Sequence, residues 1–285
     1  MKKAGTVFVC LLPTAAAFLG QIVMSVTVSG VYTLFMTFQG MRLGITNEEE
    51  LTNYAMEQIM NPNYLLVATA FATFYTLLIG FFWYHTVKPK EELSFKQVVN
   101  GKLLVTMGLL GIALQLLVSM CLNVVFPILP QQMTTEYGEL IETLIGGNVW
   151  LSLLVTVILA PLAEELIFRG ATLKMAKQIM PFMAANILQA VLFGIYHANL
   201  IQGVYAFVLG LVLGFTAEYF HSIWASILLH AFVNGSAELL NLLPEQVTGT
   251  WIGLSILSVL GVVLLFVSAK LYPKAKKFSE NSFDE

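Results

Sequence analysis

Three short stretches hold most of the residues capable of chemistry in an otherwise apolar chain: "APLAEELIFRG" at 160–170, "FGIYH" at 193–197 and "HAFVN" at 230–234. The first carries Glu164, Glu165 and Arg169 at the end of a run, "NVWLSLLVTVILA", that reads as membrane helix. An ionisable side chain at the bilayer centre costs about 2.5–3.5 kcal/mol on insertion scales, so such groups are rare and usually functional. Glu165 and Arg169 are four apart with the acid first, the better orientation for a helical ion pair. Glu164 points about 100° away and has no partner on its own helix. It reads either as a structural acid, protonated or paired across helices, or as a carboxylate waiting for a water, a metal or a histidine.

A glutamate with two histidines and an asparagine can hydrolyse an amide. The carboxylate takes a proton from water and passes it to the leaving amine, while a histidine N–H and the Asn234 amide donate to the tetrahedral oxyanion. Glu164, His197 and His230 can equally hold a divalent metal such as zinc that activates the same water. The residues leave both versions open, with a metal cofactor or with none. Other intramembrane routes are excluded. The only aspartate is Asp284 in the tail, HExxH is absent, and neither Cys10 nor Cys121 lies near a histidine in sequence. Ser236 lacks an obvious base and is a poor nucleophile.

The elements that must position these groups are membrane helices. Hydrophobic residues make up 58% of the 285 and charged residues 11%, against roughly 45–50% and about 25% in soluble domains. The first apolar run, behind Lys2 and Lys3, is too long for a signal peptide. Eight segments are expected to span: 5–38, 63–86, 103–126, 148–176, 182–198, 202–220, 222–242 and 250–271. Thirteen of the fourteen Lys and Arg then fall on one side and only Arg42 on the other. This puts both termini in the cytoplasm. The expected fold class is an all-α, polytopic membrane protein with eight transmembrane helices. Residues 1–145 would form scaffold helices with two acidic extracytoplasmic loops, 146–245 the catalytic helices, and 246–285 the last helix and a disordered cytoplasmic tail, "KFSENSFDE".

Matched depth links the three stretches. A turn near Met180 and Pro181 suits the start of a new helix. Glu164 is sixteen residues before Met180 and His197 sixteen after Pro181, so both lie about 24 Å from the turn. His230 is about 12 Å into a helix starting near Ser222, with Asn234 one turn on. All three would sit roughly 10–15 Å beneath the cytoplasmic interface. Asn186, Gln189 and Phe193 share a face with His197 and read as a polar, substrate-binding track toward the cytoplasm. Pro161 lacks a backbone donor and opens the helical ladder beside the acids. Glu238, two turns beyond His230, reads equally as a supporting carboxylate or a loop-facing one.

These motifs, EExxxR (Glu164, Glu165, Arg169), FxxxH (Phe193, His197) and HxxxN (His230, Asn234), resemble those of the CAAX prenyl protease and bacteriocin-processing (Abi) family of intramembrane proteases. The resemblance covers about residues 145–245. It implies an endopeptidase acting on a peptide or protein near the cytoplasmic membrane face, from a conical intramembrane cavity open to the cytoplasmic side. Glu164 would activate water, His197, His230 and Asn234 would assist or bind metal, and Arg169 would support the glutamates. It also leaves room for a non-catalytic role, as an immunity protein or a scaffold for a membrane-protein partner. Short lysine-rich loops point to a bacterial plasma membrane, where a prenylated substrate is less expected. No nucleic-acid partner is expected. A proton-coupled transporter built on Glu164, Glu218 and Glu238 would call for inverted repeats, and none is seen.

Overall fold

The computed structural model describes residues 2–87, 92–248 and 250–274, with side chains from Phe8 onward except that of Glu245. The side chains of Lys2 and Lys3, the residues Lys88, Lys90, Lys276 and Lys277, and the tail expected to be disordered lie outside this set. Among the described residues there are helices and no strand. In chain order they are α1 (Lys2–Arg42), α2 (Glu48–Ile59), α3 (Pro62–Val87), α4 (Phe95–Val98), α5 (Gly101–Val125), α6 (Gln131–Ile145), α7 (Val149–Lys177), α8 (Phe182–Tyr196), α9 (Leu200–Tyr219), α10 (Ile223–Asn241), α11 (Glu245–Thr248) and α12 (Trp251–Leu271).

Hydrocarbon offers a backbone no partner but itself, so the apolar runs close into helices. Polar residues set where those helices start. Asn100 Oδ1 accepts from the Leu103 N–H at 3.0 Å, and Asn148 Oδ1 from Trp150 and Leu151 at 3.0 and 3.1 Å. Asn199 Oδ1 accepts from Gln202 at 3.0 Å and Ser222 Oγ from Trp224 at 3.3 Å. Each satisfies a donor that the first turn leaves over.

Among the described residues, seven helices are long and apolar enough to cross a membrane, which makes this a multi-pass membrane protein. The expected eighth span is α8, whose 15 residues reach only about 22 Å against a hydrocarbon core of about 30 Å. It stops short because the chain turns at 197–199, where Ala198 takes a positive φ of 52°. The two acidic loops are largely helical. In the first, α2 opens with Glu48, Glu49 and Glu50, acids that suit the positive end of a helix. The second folds as α6.

α1 packs along α3, α3 along α7, and α5 lies between α10 and α12. α8 and α9 form a hairpin. Large apolar side chains face outward: Phe71, Phe74 and Phe81 on α3, and Ile252, Ile256 and Phe266 on α12, are all more than half exposed. Small residues let the inner helices touch. A Cβ on Gly194 would lie 2.6 Å from the Gly203 carbonyl, and one on Gly203 would lie 2.8 Å from that of Gly194. This reciprocal contact brings the α8 and α9 backbones together beside His197.

The bundle has two distinct ends. At one, Lys174 pairs with Glu92 at 2.5 Å, Lys177 pairs with Glu218, and Ser222 Oγ donates to the Leu93 carbonyl at 2.8 Å. At the other, the Asn148 N–H donates to Asn63 Oδ1 at 2.8 Å and α6 lies alongside. Lys96, Lys102 and Lys270 belong to the first end with Lys174 and Lys177, since they lie at the start of α5 and the finish of α12. The two are called here the lysine end and the α6 end.

Candidate functional site

The site is built on α7, which winds as π-helix over Leu154–Leu159 and again over Leu166–Thr172. The α-helical stretch between them, Ala160–Glu165, carries both glutamates. π-turns are rare and recur at functional sites. Here one has a local cause. In the π register the Ala160 N–H bonds to the Val155 carbonyl, so the next donor, aimed at the Thr156 carbonyl, would be residue 161. Pro161 has none. The orphaned carbonyl instead accepts from Asn234 Nδ2 of α10 at 2.8 Å. Pro161 on one helix and Asn234 on another are therefore two halves of one joint.

Glu165 and Arg169 are both fully buried and paired at 2.7 Å, as the four-residue spacing predicts. The pair is tied in further. Arg169 Nη2 donates to the Gly210 carbonyl at 3.2 Å, and the guanidinium lies 4.5 Å from the centre of the Phe193 ring. Glu165 Oε1 also bonds His230 Nδ1 at 2.9 Å. His230 Nε2, on the far side of the ring, lies 3.6 Å from Glu164 Oε2. The second glutamate thus holds the histidine that faces the first, a link between adjacent residues that runs through another helix.

A carboxylate can only accept, so His230 carries its proton on Nδ1 in the neutral form and leaves Nε2 as the acceptor. His197 follows the same logic. Its Nδ1 lies 2.8 Å from the Phe193 carbonyl, which fixes the proton there and frees Nε2. Phe193 sets its ring edge-on to both imidazoles, with centroids 4.7 and 5.7 Å away. His197 caps α8 at the turn before α9, so non-helical backbone sits beside the site. Such backbone is tolerated at membrane depth where it lines a cavity.

The cavity, about 360 Å³, is lined by Glu164, Phe193, His197, His230 and Asn234 of the motifs. From Glu164 it runs past Thr156 on α7, Tyr205 on α9 and Glu238 on α10, and the apolar face of α6 lines it through Tyr137, Leu140 and Leu144. Burial raises the Tyr137 phenol, which shares a hydrogen bond with Tyr205 and so stays a neutral donor on the cavity wall. In the other direction Ile167, Phe168, Arg169, Ala171 and Thr172 are fully buried and fill the space. The cavity therefore extends toward the α6 end. It was expected to face the same side as the lysines, and that is corrected: side chains of α7 plug the lysine end, and the hollow lies beyond it.

Asn186 and Gln189 need a second correction. They do not line the cavity. Gln189 Nε2 donates to Asn186 Oδ1 at 2.7 Å and to the Gly210 carbonyl at 2.9 Å, and Asn186 Nδ2 to the Leu211 carbonyl at 3.0 Å. The expected polar track is a buried lock between α8 and α9, and it shares with Arg169 the carbonyl it grips. Glu218 is outside the site too, on the ion pair with Lys177.

Residue type hid the rest of the wall. Gln21 of α1, Thr69 and Thr73 of α3 and Gln115 of α5 line the cavity, although these helices read as pure scaffold. A search for ionisable groups passes over neutral amides and hydroxyls; lone glutamines inside apolar runs are the signal that would have found two of them. As for metal, among the described residues no group of three or more His, Cys, Asp or Glu side chains is placed to hold an ion. Glu164, His197 and His230 as arranged do not make the three-ligand set.

Residues 146–236 match the family model described as type II CAAX prenyl endopeptidase, Rce1-like. The match spans α7, α8, α9 and most of α10, and the resemblance read from the three motifs holds over that stretch. It implies intramembrane CAAX-type protease activity and hence a peptide substrate. No curated protein and no solved structure matches the chain.

Proposed function

We propose that this protein is an intramembrane endopeptidase in which Glu164 activates the attacking water. The observation that supports this is the position of Glu164: it lines a polar cavity, with His230 Nε2 3.6 Å from its carboxylate and, among the described residues, no lysine or arginine paired with it. Glu164 takes a proton from water as the oxygen attacks the peptide carbonyl. His230, held through Nδ1 by Glu165, keeps Nε2 beside Glu164 as an acceptor that can orient the attacking water. The Asn234 amide has two N–H donors; one holds the Thr156 carbonyl and the other is left for the substrate. Glu164 then returns its proton to the leaving amine. Arg169 does not touch substrate; it neutralises Glu165 so that His230 is positioned by a paired carboxylate.

The lysine distribution supports placing the lysine end and both termini in the cytoplasm of a bacterial cell. Of the thirteen cations assigned to that side, Arg169 is buried, which leaves twelve against Arg42. The cavity then occupies the extracytoplasmic half of the bundle. A substrate approaches from that half, in place of the cytoplasmic face expected from sequence.

The test is cleavage of a peptide panel by the purified protein in nanodiscs, wild type against Glu164→Gln. Loss of cleavage with an unchanged melting transition supports the reading; equal cleavage overturns it. Activity abolished by a chelator and restored by zinc would overturn the metal-free step.

A further inference from the structure

Glu238 has no role in the chemistry above, yet it faces the same cavity. Its Oε1 lies within hydrogen-bond reach of Ser152 Oγ at 3.1 Å and Thr156 Oγ1 at 2.8 Å, both on α7, whose single protons it shares with the Leu144 and Ser152 carbonyls. Thr156 is eight residues before Glu164, and Glu238 eight after His230, so along either helix the two carboxylates stand about 12 Å apart. Among the described residues, none that lines the cavity is a lysine or arginine; Arg169 is buried on Glu165, outside it. A passage walled by Gln, Thr and Tyr with a carboxylate partway along it attracts cations and repels anions.

We propose that Glu238 is a specificity-determining residue, and that the substrate is a peptide with a basic side chain about three residues from the bond that is cut. That spacing is the roughly 12 Å between the acids divided by about 3.3–3.6 Å per extended residue. A peptide entering by a free C-terminal carboxylate, or bearing an acidic residue at that place, meets like charge at Glu238. This rests on the peptidase reading for the position of the cut, and on the cavity alone for the preference in binding.

The experiment uses full-length protein in nanodiscs and peptides identical except for Lys, Gln or Glu two to four residues from the cleaved bond. The Lys peptide is expected to exceed the Gln peptide about tenfold or more in kcat/KM, with the Glu peptide lowest. Glu238→Gln keeps an acceptor for Ser152 and Thr156 and removes only the charge, and should bring the Lys-to-Gln ratio within about twofold of unity. Glu238→Asp should retain a preference. A wild type indifferent to the substitution, or a preference that survives Glu238→Gln, overturns the proposal. Binding of the labelled peptides to Glu164→Gln protein is measured in parallel. If wild type cleaves nothing, the peptidase reading fails, and this arm decides alone: tighter binding of Lys than Glu peptide, lost in Glu164→Gln/Glu238→Gln, supports the proposal, and equal binding overturns it.

Discussion

The two ends of this bundle are held by opposite means. At the lysine end, charges are spent on structure. Glu92 bonds Lys174 at 2.5 Å with one oxygen and caps the Ile223 N–H at 3.2 Å with the other, and Lys177 takes Glu218. At the α6 end, carboxylates line a hollow and bond hydroxyls or face an imidazole. Between them lies a sealed layer in which Arg169, Glu165 and His230 form one chain. An intramembrane acid thus gains chemical use from what its neighbours leave undone. Glu165 and Glu164 are adjacent, yet one is consumed by an arginine and a histidine while the other keeps an oxygen turned to the cavity.

The largest effect expected from breaking this contrast is at Glu164. Glu164→Gln should lower kcat by about 10³-fold, in the middle of the range for a general acid–base group, with the melting temperature unchanged. Comparable activity in the variant would remove the distinction between the two glutamates.

Next is the sealed layer. Arg169→Met leaves Glu165 buried without its cation, and breaking a buried pair from one side costs about 3–5 kcal/mol. Thermal unfolding in detergent should show the loss. Arg169→Met/Glu165→Gln, which removes both charges, should recover much of the stability but not the activity, because His230 loses the carboxylate that orients it. Full activity in the double variant would show that the layer only holds helices together.

A smaller effect is expected at the lysine end. Glu92→Gln removes the charged partner of Lys174 and weakens one cap, a loss of about 2 kcal/mol. Activity per folded molecule should stay at the wild-type level, since nothing there reaches the cavity. A fall in kcat without a fall in stability would mean the two ends are coupled.

How much of this was legible in the sequence follows the same division. The apolar runs placed every long helix within a few residues, because in hydrocarbon length and composition decide the fold almost alone. The Glu165–Arg169 pair followed from a spacing of four on one helix. Contacts between helices were less accessible. Sequence put Glu164, His197 and His230 at one depth, but Glu165 meeting His230 depends on rotation about two axes, which periodicity does not fix. Asn186 and Gln189 were read as a wet track because they share a face with His197; that face turns toward α9, not toward the cavity. The direction of the cavity was lost for a similar reason. Lysines mark which end meets the cytoplasm, but side-chain volume decides which end is hollow, and Ile167 and Phe168 fill the one nearer the lysines.

The smallest effect tests the joint between Pro161 and Asn234. Asn234→Ala removes the donor to the Thr156 carbonyl and leaves a buried acceptor bare, at a cost of about 1–3 kcal/mol. Pro161→Ala restores a backbone N–H that can return to that carbonyl or to its helical neighbour. In the Pro161→Ala background, Asn234→Ala should therefore cost less, with a coupling of about 0.5–1 kcal/mol in a double-mutant cycle. The cycle also separates two roles of the asparagine. If Asn234 serves only the joint, the double variant regains activity along with stability. If its second N–H meets the oxyanion, stability returns and kcat does not. The mechanism above requires the second result, and strictly additive energies would mean the proline and the asparagine do not share the carbonyl at all.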